Sequence, residues 1–217
     1  MEYRILLTDQ EYRSMTPKKA DEYFMWFSTQ ISGEIEILDA MIRREVILDF
    51  SPESLKPLEN WFIPLRKYEK KSKQEIMASY ANAPSFILEE MLEKRYAPTS
   101  ETVELAARIA LYFGEVFVKN NTDLHWGYVK TPKTDIYFNT PVIYGFSPPN
   151  MKFQAYVNTF SWCVPVYSSS PKGEQDSNTW SKWYQHWIGE KEIFWDPEYT
   201  TQKYMQIMKE RQKNKNS

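Results

Sequence analysis

The sequence predicts a single α+β domain with N-terminal helices, a central buried helix, an antiparallel sheet and C-terminal helices. Apolar residues recur every three or four positions in the first half, β-branched and aromatic runs follow residue 124, and helical spacing returns near the end. Helices and strands that are grouped along the chain are typical of the α+β class. Within the domain 1–217 we expect a helical part at 14–121, a sheet part at 122–167, a C-terminal helical part at 177–211 and a flexible tail at 212–217.

The first long helix is predicted to begin at Thr16-Pro17, where a capping residue precedes proline at the first helical position. Its buried side is indicated by apolar residues at helical spacing, and Gly33 is a position at which the helix could break. These apolar residues are Phe24, Phe27, Ile31, Ile35, Leu38 and Ile42. A second helix is predicted in "SPESLKPLENWF", residues 51–62, because Ser51-Pro52 and Ser54 are both helix start signals.

Two shorter stretches precede the central helix. Residues 66–75, "RKYEKKSKQE", form a basic run with interleaved glutamates. We expect a surface linker there, and a phosphate-binding patch is the alternative. Residues 85–96, "SFILEEMLEKRY", are predicted as a short helix that ends at Ala97-Pro98, because the residue before a proline disfavours helical geometry.

The central helix is predicted over 100–121, with Ser100 as its cap. On a helical wheel it has a bulky apolar face, a face of small residues that includes Gly114, and a narrow polar stripe. Glycine inside a helix costs about 1 kcal/mol relative to alanine, so Gly114 is expected to allow another element to approach closely. The polar stripe is expected to carry two exposed i,i+4 ion pairs. They are Glu104–Arg108 and Glu115–Lys119.

An antiparallel sheet of three to four strands is predicted at about 124–167, where β-branched and aromatic runs are separated by turn-forming residues. The runs are "LHWGYVK", "TDIYFNTPVIYGF" and "FQAYVNTFSWCVPVY". A polar loop is expected to follow at 168–178.

The C-terminal part is predicted to be helical again. One apolar helix face has members at i, i+3, i+4, i+7 and i+8, and this helix is expected to end near Gly189. The members are Trp180, Trp183, Tyr184, Trp187 and Ile188. Core packing is the preferred interpretation of this face, and a stacking platform for sugars or single-stranded nucleic acid is the alternative. A last helix is expected from Pro197 to about Arg211.

Composition and charge restrict the class of protein. Apolar residues make up 42% of the 217 residues and charged residues 26%, which is ordinary for a folded protein. A net charge of −2 lacks the basic excess of a dedicated nucleic-acid binder. The sequence has neither a signal-peptide pattern nor an apolar run close to the roughly 20 residues of a membrane span. We therefore expect a soluble cytoplasmic protein that does not bind a membrane.

Sequence motifs for metal, phosphate or nucleophilic chemistry are missing. The two histidines and the single cysteine form no zinc or haem pattern, and neither a glycine-rich phosphate loop nor a nucleophile elbow occurs. We therefore expect no metal and no cofactor, and we assign no catalytic residue. Cys163 is interpreted as a small core residue, and a Cys163–His125 dyad is the alternative.

Four residues around the end of the central helix are the candidate binding residues, namely Glu115, Asp123, His125 and Trp126. Carboxylates and an imidazole close to one turn are groups that can act as general acids or bases. For Glu115 the two interpretations are a general base and a surface ion pair with Lys119. The ion pair is preferred, because such pairs are common along exposed helix stripes.

The segment "IALYFGEVFVKNNTDLHWGY" resembles a pattern found in small uncharacterised bacterial proteins. In these proteins an apolar helix of the type "hALYLGEVhhRN", with h for an apolar residue, leads through a turn to a strand that bears tryptophan. The matching residues are Ala110, Leu111, Gly114, Glu115, Asn120 and Trp126. The resemblance extends over about 20–145 and includes "DEYFMWF" and "FSPESLKPLENWF". Some of these proteins look like immunity partners of bacterial toxins, so the resemblance implies a non-enzymatic binding protein.

The leading hypothesis is therefore a cytoplasmic bacterial protein that works by protein binding and neutralises a toxin. Aromatic residues, which are 16% of this chain, dominate binding energy at interfaces, and acidic surfaces can mask basic nuclease sites. The first alternative is a small hydrolase with a dispersed site formed by Glu115, Asp123 and His125. The second alternative is a nucleic-acid-binding module that uses the basic run at 66–75 together with exposed tryptophans.

Overall fold

The fold was obtained as a computed structural model, and it describes residues 4–80, 85–148, 151, 154–165, 168–170 and 179–196. It is an α+β fold, as the sequence predicts, and it has two small antiparallel sheets where one was expected. The first helix, α1, is short and spans Asp9–Ser14. Thr8 and Glu11 form a capping box at its start, each accepting a hydrogen bond from the other's backbone amide.

The second helix, α2, spans Pro17–Ile42 without interruption, so Gly33 does not break it. Thr16 caps its first turn by accepting a hydrogen bond from the Lys19 amide. The helix buries one apolar face against the core, and a Cβ added at Gly33 would meet nothing within 4 Å. Burial of the opposite face outweighs the local cost of one exposed glycine, because packing energy is summed over seven turns.

A 3₁₀ turn at Pro52–Ser54 leads into α3, Leu55–Phe62, and a second 3₁₀ turn follows at Ile63–Leu65. This confirms the helix predicted at 51–62. The turn is tied to the core by Tyr112, whose hydroxyl lies 2.6 Å from the Ser54 hydroxyl and accepts a hydrogen bond from the Phe50 amide.

The first sheet pairs β1, Tyr68–Lys70, with β2, Tyr96–Pro98. Helices α4, Lys73–Ser79, and α5, Ser85–Glu93, lie between these strands in the sequence. The expectation of a surface linker at 66–75 was therefore wrong, because that segment supplies a strand and the start of a helix. Sequence patterns alone miss such a pair, since each strand is short and its partner lies far along the chain.

The central helix, α6, spans Ser100–Asn120 and is mostly buried, as the sequence predicts. Its cap is Thr99 and not Ser100, because the Thr99 hydroxyl accepts the Thr102 amide hydrogen bond. Helix α2 packs along one side of α6, and the second sheet packs near its end.

The second sheet contains β3, His125–Tyr128, β4, Pro141–Tyr144, and β5, Tyr156–Val157, in the antiparallel order β3-β4-β5. Three to four strands were expected, and the described residues form three, of which the third is shorter than its run of residues suggests. The run turns helical at α7, Phe160–Cys163. The Asn158 side chain accepts hydrogen bonds from the Phe160 and Ser161 amides, and this turn ends the strand.

The last described helix, α8, spans Thr179–Trp195 and continues through Gly189, where an end was expected. Trp180 and Tyr184 are buried as predicted, whereas Trp183 is 37% exposed. The loop segment 171–178, the predicted helix at 197–211 and the predicted tail at 212–217 lie outside the described residues. Among the helices that the structure describes, none has the length and apolarity needed to cross a membrane.

Candidate functional site

The central helix and β3 interlock at Gly114, Glu115 and Trp126. A Cβ added at Gly114 would lie 2.1 Å from Trp126 Cζ2, so the indole ring occupies the space that a side chain would take. The indole Nε1 donates a hydrogen bond of 2.9 Å to Glu115 Oε1. Two adjacent helix residues therefore hold one tryptophan, since Gly114 leaves space for its ring and Glu115 accepts its hydrogen bond.

The ion pairs predicted along α6 are not formed. Arg108 Nε donates to Glu34 Oε2 of α2 at 2.8 Å, so it bridges two helices and does not pair with Glu104. Lys119 Nζ lies 3.2 Å from the centroid of the Phe50 ring, so it forms a cation–π contact, and Glu115 binds Trp126. The predictions were wrong because non-local partners compete successfully with weak i,i+4 pairs.

Asp123 and His125 lie near the end of α8. Asp123 Oδ2 accepts a hydrogen bond of 3.0 Å from Lys191 Nζ. His125 is exposed, its Nδ1 lies 3.3 Å from the Asp123 carbonyl oxygen, and its ring stacks on Tyr144 with centroids 6.4 Å apart. These contacts hold both side chains on the outer side of the second sheet.

The structure does not gather Glu115, Asp123 and His125 into one constellation. Glu115 lines a groove of about 630 Å³ between α2 and α6, whereas Asp123 and His125 line a different cavity of about 400 Å³. Strand geometry explains the separation, because Trp126 faces α6 and its neighbour His125 therefore faces the other side of the sheet.

Cys163 does not form a nucleophilic site with His125. It lies in α7 and is buried, and burial raises the pKa of its thiol well above the ordinary value. A thiol kept protonated is a poor nucleophile. The interpretation of Cys163 as a small core residue is confirmed.

A larger groove of about 890 Å³ follows β3, and we call it the sheet groove. All four β3 residues line it, together with side chains from α2, from the segment after β3 and from the neighbouring strands. Among the side chains that line it are Asp21, Met25, Lys130, Asp135, Tyr144 and Tyr156. Gly127 leaves room for the Tyr144 ring, since a Cβ there would lie 2.7 Å from Tyr144 Cδ2.

One wall of the sheet groove carries the carboxylate of Asp21. The Tyr128 hydroxyl donates a short hydrogen bond to Asp21 Oδ1, and Lys130 Nζ donates to the same oxygen at 3.3 Å. The hydrogen bond from Tyr128, followed by that from Lys130, lowers the pKa of Asp21. Asp21 is therefore held in place and charged at neutral pH.

The opposite wall carries the carboxylate of Asp135. The Tyr156 hydroxyl lies 2.8 Å from each Asp135 oxygen, and the Tyr137 amide donates to Oδ1 at 2.8 Å. Arg13 of α1 fixes the backbone of this segment by donating to the carbonyls of Lys133 and Asp135. The position of the Asp135 carboxylate is thus set by three separate elements.

Aromatic rings connect the two ends of the outer sheet face. His125, Tyr144, Tyr156 and Tyr137 form a continuous series of ring contacts with centroids 5.6–6.4 Å apart. Burial, and next the nearby Asp135, raise the pKa of Tyr144 to about 12, so its phenol stays neutral. Neutral rings beside two carboxylates and one ammonium suit a cationic guest, because ring faces and carboxylates both attract positive charge.

The comparisons with known proteins give no family for this chain. A scan against protein-family models, a search of curated proteins and a search of solved structures all found no match. The resemblance to immunity-like bacterial proteins stays a hypothesis. Within the described part of the chain, no group of three or more His, Cys, Asp or Glu side chains could hold a metal ion.

Sequence reasoning found His125 and Trp126, but it missed Asp21, Asp135, Tyr144 and Tyr156. Asp21 and Asp135 are more than a hundred positions apart, and no spacing rule connects them. One signal was present in the chain. Tyr144 and Tyr156 both lie in strand-like runs, and residues at alternate positions of a strand share one face of the sheet. Which face would be open to solvent depends on how α2 and α6 pack, and that is not visible in the runs.

Proposed function

We propose that this chain is a non-enzymatic protein-binding protein and that its sheet groove receives a basic segment of the partner. The observation that carries the proposal is the pair of fixed carboxylates, Asp21 and Asp135, on the two walls of an aromatic groove. Carboxylates that are already held in place bind a cation without a further loss of side-chain entropy, so they favour recognition over chemistry.

Electrostatics supports a basic partner. The groove carries the two carboxylates of Asp21 and Asp135 and the one ammonium of Lys130, so its formal charge is negative when His125 is neutral. Acidic surfaces steer basic partners toward them and raise association rates. The tyrosine rings add flat contact area of the kind that dominates binding hot spots.

The resemblance described above makes a bacterial toxin the class of partner to test first. A toxin that cleaves nucleic acid needs a basic surface to bind its substrate, and an acidic groove can cover such a surface. The identity of the protein that binds decides whether the partner is a toxin.

The proposal is tested by affinity capture with the full chain as bait, using extract of the source cells and direct binding to any protein recovered. We expect a basic protein to bind the native chain and the Glu89→Lys variant equally, because Glu89 is an exposed residue of α5. The Asp135→Lys variant should lose at least about tenfold in affinity, and Asp135→Asn should lose less.

Capture of no protein by the native chain, or equal binding of the recovered protein to all four forms, would remove the sheet groove as the binding surface. Circular dichroism of each variant ensures that lost binding does not reflect lost folding.

A further inference from the structure

Strand β3 is an edge strand, because the sheet has the order β3-β4-β5 and β4 pairs with β3 on one side. Val129 N donates to Thr140 O at 3.2 Å and Val129 O accepts from Asn139 N at 2.8 Å, so both backbone groups of Val129 point toward the segment that leads into β4. In an antiparallel ladder hydrogen-bonded pairs alternate, so the backbone amides and carbonyls of Gly127 and His125 also point toward β4. The amide and carbonyl groups of Trp126 and Tyr128 therefore point away from β4.

This register agrees with the partner strand. Pro141 lies opposite Tyr128 and has no amide hydrogen, which suits a pair that exchanges no ladder hydrogen bonds. Among the described residues, the outward amides and carbonyls of Trp126 and Tyr128 have no hydrogen-bond partner. They form a row of unused donors and acceptors of the kind that another strand can pair with.

The outward edge of β3 borders the sheet groove, where Trp126 is half-buried and Tyr128 is buried. Side chains of consecutive strand residues alternate between the two faces of a sheet, and the groove touches all four β3 residues. It is bounded by Asp21 and Met25 of α2 on one side and by Asp135, Tyr144 and Tyr156 on the other. A cavity that reaches both faces of an edge strand lies along its edge.

We infer that the partner enters the sheet groove as an extended segment and adds a fourth strand to the sheet beside β3. The inference rests on the proposed protein-binding function and specifies its mode. Backbone hydrogen bonds to Trp126 and Tyr128 supply affinity that is independent of sequence, and the groove walls select the side chains. Four residues of β3 extend over about 13 Å, so a segment of four to six residues is accommodated.

The walls define which segment fits. Side chains that point toward α2 meet Phe24 and the exposed Met25, while Asp21 on that wall is already bonded to Tyr128 and Lys130, so apolar residues suit the part of that side beside Phe24 and Met25. Side chains that point to the outer face meet Asp135 and the tyrosine rings, so lysine or arginine suits that side. The occupant is therefore a segment of a basic partner in which apolar and basic residues alternate.

A second copy of this chain is a poorer occupant. If β3 of one copy paired with β3 of another, the Asp21 and Asp135 carboxylates of both copies would line one shared groove, and like charges repel. Lys130 provides a single compensating charge in each copy. Charge complementarity therefore favours a foreign basic strand.

The test uses the full chain and a synthetic peptide of about ten residues in which lysine and valine alternate. Amide hydrogen exchange is followed residue by residue with and without the peptide. We expect the Trp126 and Tyr128 amides to exchange at least about tenfold more slowly in the complex. The Gly127 amide, which faces β4, should change little. A glutamate–valine peptide of the same length serves as the charge control and should not bind.

Backbone methylation of the peptide supplies the decisive second measurement. Two peptides are compared, each methylated on the amides of every other residue. The peptide whose methyl groups lie on the amides that face β3 should not bind, whereas the peptide methylated on the alternate set should bind as before, because those amides face away from β3. Binding that survives both methylated registers, or that leaves Trp126 and Tyr128 exchange unchanged, overturns strand addition. Failure of the lysine–valine peptide to bind also overturns it, whereas the wider proposal fails only when the partner capture described above fails.

Discussion

Gly114 is the residue at which the absence of a side chain matters most. Elsewhere on a helix, replacing glycine by alanine stabilises by about 1 kcal/mol, because alanine loses less backbone entropy on folding. At Gly114 the added methyl group would overlap the Trp126 ring at 2.1 Å, and the ring is held by its hydrogen bond to Glu115. Moving that ring also disturbs the strand that borders the sheet groove.

We predict that Gly114→Ala destabilises the fold by about 1–3 kcal/mol, as overpacked cores do. The matched control is Gly33→Ala on α2, which should stabilise by about 0.5–1 kcal/mol because a Cβ there meets nothing within 4 Å. Denaturant unfolding of both variants measures the two effects. An unchanged or raised midpoint for Gly114→Ala would show that Trp126 is free to move.

The packing role of Gly114 was predictable from the sequence, whereas the identity of its partner was not. A glycine among bulky helix residues indicates a close approach, and the structure confirms one. Trp126 lies beyond a turn, and the direction in which a chain leaves a turn depends on what the rest of the molecule packs against. The same limit explains why Glu115 was matched to Lys119, the neighbour along the helix, and not to Trp126.

At the scale of elements, α8 begins beside a buried glutamate side chain. Glu59 of α3 is 3% exposed, and its carboxylate accepts hydrogen bonds from the Thr179 and Trp180 amides at 3.1 and 3.4 Å. The first amides of a helix have no partner within the helix, and their end of the helix dipole is positive. A carboxylate from another helix therefore serves as the cap of α8.

We predict that Glu59→Ala destabilises the fold by about 1–3 kcal/mol, because it leaves two amides at a helix start without an acceptor. Glu59→Gln keeps an acceptor and should cost less. The control is Glu53→Ala, at an exposed position in the preceding 3₁₀ turn. Thermal unfolding followed by circular dichroism ranks the four proteins, and equal stability of Glu59→Ala and Glu53→Ala would contradict the cap.

Helices were predicted better than strands for a physical reason. The burial pattern of α2 and α6 repeats over many turns, so a single residue such as Gly33 does not change the outcome. Strands β1 and β2 have three residues each, and their stability comes from pairing across a long loop. The shortened β5 was missed because Asn158 stops it through a local side-chain hydrogen bond that a run of aromatic residues conceals.

At the scale of the whole molecule, buried phenols connect the core to solution pH. Tyr12 lies in the core beside Tyr23, and burial raises its pKa from 10.0 to about 12. Burial also raises the pKa of Tyr144 to about 12 and that of Tyr156 above its ordinary range. The folded chain therefore holds these protons more tightly than the unfolded chain does.

We predict that the contribution of these tyrosines to stability is fully present below about pH 10 and is lost as the pH rises through about 12. The sign follows from linkage, since above the unfolded pKa the unfolded state releases protons that the folded state keeps. Denaturant midpoints between these limits measure the loss, and tyrosinate absorbance follows the ionisation. Tyr12→Phe should flatten the profile, whereas complete tyrosine ionisation near the ordinary pKa with the fold intact would contradict the assignment.

The contact between Gly114 and Trp126 also has a consequence for descent. The ring at position 126 fills the space that a side chain at position 114 would take, so neither residue can be substituted alone without a loss of stability. Among relatives of this chain, those with a larger residue at position 114 should carry a smaller ring or none at position 126. Chains that keep tryptophan at 126 should keep glycine at 114, and the pair should then appear as a covarying couple.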